Sequence, residues 1–86
     1  MYKIIFDKGA MKHFLKVDKP TQKKIISRLE KISKYSDPEM FGKPLLGNKK
    51  GLWRFRVENY RVICQIKQKE LIILVLDVGY RKNIYK

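Results

Sequence analysis

The stretch "LWRFRVENYRVICQI", residues 52–66, admits few folds. Two runs of alternating apolar and polar residues flank Glu58-Asn59, and a two-residue connection between such runs reads as a β-hairpin. With those two residues as the turn, Val57 pairs with Tyr60, Arg56 with Arg61, Phe55 with Val62 and Arg54 with Ile63. Side chains alternate across a strand, so Trp53, Phe55, Val57, Tyr60, Val62 and Cys64 share one face and need a core. Arg54, Arg56 and Arg61 share the other. Arg56 and Arg61 are then direct cross-strand neighbours, and like charges in that relation destabilise a sheet. A face that could have carried Thr or Gln instead gathers arginines, which points to an anion site.

The remaining segments supply a cover for the apolar face. "YKIIF" (2–6) is a first strand. Asp7 can cap a helix over 8–17, with Ala10, Met11, Phe14 and Leu15 on one side. Asp18 caps a second helix over 20–35, with Pro20 in its first turn. Its stripe is Ile25, Ile26, Leu29 and Ile32, while Lys23, Lys24, Arg28, Lys31 and Lys34 cover the rest; Asp37-Pro38 ends it. Residues 36–51 hold two of the three prolines and three of the five glycines, so they are a connection, with "PLL" a short edge strand. A last strand spans 70–78. On it Leu74 and Leu76 form an apolar floor beside the arginines, and Asp77 falls on the core face, the sign of an early end or a bulge. The order β-α-α-β-β-β predicts one α+β domain over 1–86: two N-terminal helices packed on a small, largely antiparallel sheet.

Charge narrows the partners. Twenty-one Lys and Arg against eight Asp and Glu give +13. Such a field attracts polyanions with strong salt dependence, and RNA, DNA, ribosome, acidic protein or anionic membrane would all fit. The first 43 residues hold ten Lys and one Arg, the rest six Lys and four Arg. Lysine is a hydrated point charge, whereas the arginine fork matches phosphate oxygens. The N-terminal lysines therefore read as solvated helix surface and the C-terminal arginines as a site. Cys64 is the only cysteine, which excludes an intrachain disulfide and suits a small buried hydrophobe. With His13 the only histidine, a Cys/His metal cluster is excluded too, and no metal or cofactor is expected. His13 itself reads as a surface residue, and Glu58 as a charge offset at the turn. "MYKIIF" lacks the apolar core of a signal peptide and "LIILVL" is too short to span a bilayer, so a cytoplasmic protein is expected, with no membrane partner. Arg81 and Tyr85, four apart, share one face if the tail forms a helical turn. The tail then either folds back beside the arginine patch or frays as a charged terminus.

These features, taken in order, resemble the RelE branch of the RelE/ParE toxin superfamily: "PLLG" before a Gly-containing turn, then "LWRFRV", "NYRVICQI" and "GYRKNIY". The strand and two helices ahead of them fit as well, so the resemblance spans nearly the whole chain. It implies a microbial-ribonuclease-like sheet and a ribosome-dependent endoribonuclease that cuts mRNA in the A site of the 70S ribosome. It also implies a cognate antitoxin, a small co-encoded protein, with operator DNA bound only through the toxin–antitoxin complex. Residue by residue, it assigns Arg61, Arg81 and Tyr85 to catalysis. Arg54 and Arg56 become RNA contacts, with Lys49, Lys50 and Lys82 flanking them. The ParE branch shares the fold but inhibits DNA gyrase without a nuclease site; Arg81 and the terminal Tyr85 favour the RelE branch. A non-catalytic nucleic-acid-binding module is the third reading.

The chemistry follows from what metal-free RNA cleavage needs. The 2′-hydroxyl attacks the adjacent phosphate, the phosphorane needs stabilising, and the 5′-oxygen leaves with a proton, giving a 2′,3′-cyclic phosphate and a 5′-hydroxyl. Arginines suit the middle task. They are poor bases, because guanidinium is effectively never deprotonated. Tyr85 is the candidate base if arginines lower its pKa from the ordinary value of about 10; otherwise it stacks on a nucleobase. Arg81 then serves charge stabilisation or leaving-group protonation. So sparse an acid–base set explains reliance on a ribosome, which would hold the mRNA in line for attack.

Overall fold

The computed structural model of the protein describes residues 1–45 and 51–80. They form β1 (Lys3–Phe6), α1 (Lys8–Phe14), α2 (Lys19–Ile32), a 3₁₀ turn (Pro38–Phe41), β2 (Lys43–Pro44), β3 (Leu52–Val57), β4 (Tyr60–Lys67) and β5 (Ile72–Tyr80). The five strands make one sheet in the order β1-β5-β4-β3-β2. All neighbours are antiparallel except β1, which lies parallel to β5, so the sheet is mixed. The architecture is α+β.

Both helices start as their caps dictate. The Asp7 carboxylate accepts from the Gly9 amide at 3.1 Å, and the Asp18 carboxylate accepts from the Thr21 amide at 3.1 Å and its hydroxyl at 2.8 Å. Those bonds hold the Asp18 carboxyl below its usual range. The first helix stops at Phe14 rather than at 17. Gln22 explains the early end: its amide donates to the Phe14 and Val17 carbonyls at 3.1 and 2.8 Å, satisfying acceptors that another helical turn would have used. The second helix ends at Ile32, where the Ser33 carbonyl accepts from the Tyr2 amide at 2.8 Å.

The register expected from the Glu58-Asn59 turn is observed: Val57 faces Tyr60, Arg56 faces Arg61, Phe55 faces Val62 and Arg54 faces Ile63. Glu58 takes a positive φ of 55°, which turns the chain back over two residues, and its carboxylate meets Lys24 of α2 at 3.3 Å. Phe55, Val62 and Cys64 are buried beneath Ala10, Ile25, Leu29 and Ile32, joined by Ile73, Val75 and Val78. On β5 the alternation breaks: Cys64 pairs with Val75 but Ile63 with Asp77, leaving Leu76 as an extra residue. Strict alternation would have put Asp77 in the core after Ile73 and Val75. The bulge hands that place to Val78 and keeps a carboxylate out of the apolar layer.

The short β2, Lys43–Pro44, takes in only the first residue of "PLL" and the lysine before it, and Gly42 is what lets it approach. A Cβ there would stand 2.8 Å from both the Arg54 carbonyl oxygen and Cε1 of Phe55, which is itself 1% exposed. Gly42→Ala is therefore expected to destabilise the protein by about 1–3 kcal/mol through overpacking, read as a lower urea midpoint. Burial also pushes the Cys64 thiol up to about 12. Native protein at mildly alkaline pH should resist thiol reagents, and denaturant should expose one reactive thiol; rapid labelling without denaturant would contradict the buried position.

Candidate functional site

The outer sheet face, turned away from the helices, is organised in rows of cross-strand neighbours. One row runs Arg56–Arg61–Gly79 and the next Lys43–Arg54–Ile63–Asp77. Below them, Leu52, Gln65, Leu74 and Ile5 form a largely apolar row. Cations thus concentrate toward the hairpin tip, over a floor of Ile63 and Leu74. The bulge alters one expectation: Leu76 is not paired beside the arginines, and Gly79 stands opposite Arg61. Gly79 presents no side chain of its own to Arg61 across that pair.

Burial differs along the rows. Arg56 is exposed, and its Nε donates a long 3.5 Å bond to the Glu58 carbonyl. Arg54 and Arg61 are half-buried in contact with the sheet. A partly dehydrated guanidinium interacts more strongly with an incoming anion than one fully in water. The arrangement can bind a phosphate with two forks from adjacent strands and spread developing negative charge over both.

Of the residues expected at the site, the fold brings Arg54, Arg56 and Arg61 onto this one face. Lys49, Lys50, Arg81, Lys82 and Tyr85 lie outside the described residues. Lys43 joins the face opposite Arg54, a cation that sequence reasoning left in a connection. Its signal was weak: a Lys-Pro pair at an edge, where proline is tolerated in a sheet. His13 is exposed, as expected. Its Nδ1 lies 2.7 Å from the carboxylate of Asp77, which pairs with Ile63 in the arginine-bearing rows, a contact the sequence does not announce. Among the described residues no cluster of His, Cys, Asp and Glu could hold a metal, and no helix is long and apolar enough to cross a membrane.

The fold is shared with solved toxins. The toxin–antitoxin complex RelBE2 from Mycobacterium tuberculosis matches with a TM-score of 0.82 at 22% identity, over 93% of this chain and 98% of that one. The isolated RelE toxin of E. coli gives 0.78 at 20% identity, over 99% and 92%. The archaeal RelE–RelB complex from Pyrococcus horikoshii gives 0.76 at 21% identity, over 95% and 97%. No curated protein sequence matches. The family model described as "ParE toxin of type II toxin-antitoxin system, parDE" matches residues 4–85, so the chain belongs to that toxin family, within the RelE/ParE superfamily.

Proposed function

We propose that this toxin is a RelE-type, ribosome-dependent endoribonuclease that cleaves mRNA in the A site and is held in check by a co-encoded, RelB-like antitoxin. The observation that carries the reading is the Arg56–Arg61 pair, set beside Arg54 and Lys43 on one face of the sheet. A purely structural sheet gains nothing from paired like charges, whereas a phosphorane gains from two fixed forks. In this reading Arg61 stabilises the phosphorane, and Arg54, Arg56, Lys49, Lys50 and Lys82 hold the RNA backbone. Arg81 neutralises the leaving oxygen, and Tyr85 serves as base or stacks on a nucleobase. The antitoxin proposal is supported by the solved relatives from M. tuberculosis and P. horikoshii, which are complexes of toxin with antitoxin.

A second reading has an observation of its own. The matching family model is the ParE one, and the notable property of that branch is gyrase inhibition. The two differ in what the arginine rows do: a gyrase inhibitor needs a surface, a nuclease needs chemistry.

Primer extension on mRNA bound to 70S ribosomes with an empty A site separates them. The expected result is A-site cuts by wild-type protein, about 10²–10³-fold slower for Arg61→Ala, as when one fixed transition-state donor is removed. Tyr85→Phe and Arg81→Ala should also slow the cut, and naked RNA should stay intact. Inhibition of gyrase supercoiling with no cut on ribosomes would replace this reading by the second. The paired charges also imply a trade-off. Arg56→Thr should raise stability by up to about 1 kcal/mol in urea titrations at low salt, the gain shrinking at high salt, while cleavage falls.

A further inference from the structure

A cavity of about 400 Å³ lies off the end of the sheet, between the C-terminal end of α1, the start of β4 and the last residues of β5. Its floor is Val17 and Val78, both buried. Tyr60 and Tyr80 form one wall, their rings edge to face with centroids 5.4 Å apart. Tyr80 is 44% exposed, a large aromatic surface left facing a cleft. The opposite rim carries Lys16 and the His13–Asp77 pair. The Asp77 carboxylate accepts from the Val78 amide at 2.9 Å while it holds His13 Nδ1 at 2.7 Å. Both bonds fix the imidazole with Nε2 as the nitrogen left to meet a ligand.

We propose that this cleft binds a ribonucleotide unit, with the base against Tyr80 and Tyr60 and the sugar–phosphate between Lys16 and His13 Nε2. Three independent features converge on that class of ligand. The volume falls within the range of small-molecule sites. An aromatic wall over an apolar floor suits a planar base, and aromatic stacking contributes appreciably to single-stranded RNA binding. The cationic rim suits one phosphate, and Asp77, engaged by two donors, orients His13 instead of opposing the anion. The bulge at Leu76 is what releases Asp77 from the core for that task. Asp77 and Gly79 line this cleft and also pair with Ile63 and Arg61 of the arginine rows. The proposal does not require the chain to cleave RNA.

The lone histidine makes the test clean, because its ring protons give one unambiguous set of NMR signals. The full chain would be titrated with 5′-AMP, and separately with adenosine, inorganic phosphate and the trinucleotide ApApA. The expected outcome is a saturable shift of the His13 Cε1–H signal by AMP with Kd at or below about 1 mM, and at least about tenfold weaker response to adenosine or phosphate alone. Lys16→Gln and Tyr80→Leu should each weaken AMP about tenfold, whereas Lys31→Gln, on α2 away from the cleft, should leave it unchanged. Whichever of AMP and ApApA binds more tightly identifies the source as a free nucleotide or a strand. No shift, equal response to phosphate alone, or equal weakening by Lys31→Gln would overturn the site; the first would mean no binding, the others a generic charge effect. Asp77→Asn adds a check on positioning: the protein should stay folded while AMP binding weakens.

Discussion

The two-residue turn at Glu58-Asn59 governs the molecule. Because side chains alternate with a period of two, shifting β4 by one residue would send Val62 and Cys64 to solvent and drive Arg61 and Ile63 under the helices. The core would then receive a guanidinium with no counter-charge, at a penalty far above anything the turn itself could supply. The burial of Phe55, Val62 and Cys64 therefore enforces the register that also sets Arg56 against Arg61. Core and basic face are two sides of one pairing. Glu58 secures it from outside by reaching Lys24, which ties the hairpin tip to α2.

The same economy appears in how few acids the fold uses. Eight carboxylates serve twenty-one cations, and several of the eight have assigned positions. Asp7 and Asp18 cap helices, Glu58 meets Lys24 and Asp77 holds His13. Little negative charge is left to neutralise the outer face. Surface pairs of this kind contribute little to stability, so the packed apolar layer carries the fold while the charge excess stays available to a partner.

Much of this was legible in the residues. The hairpin announces itself through alternation and turn length, and the helices through Asp7, Asp18 and their apolar stripes. Even the bulge on β5 was visible as a carboxylate in the wrong phase. What escaped were facts that depend on distant contacts. Nothing local ends α1 at Phe14; the side chain of Gln22, from the next helix, does so. Nothing local marks Lys43 as a sheet residue, because β2 exists only where Gly42 passes over Phe55. His13 lies 64 positions from Asp77, and no periodicity connects them. The parallel partnership of β1 with β5 was hidden for the same reason.

That parallel partnership also orders events in time. Lys3 pairs with Ile72 and Phe6 with Val75, so the first strand of the chain waits for the last. During synthesis the helices and the β3–β4 hairpin have local contacts and can form as they emerge. The sheet cannot close, and Asp77 and Gly79 cannot take their places beside Ile63 and Arg61, until β5 has docked between β1 and β4. Core, edge strand and basic face are thus completed in one step, when β5 docks.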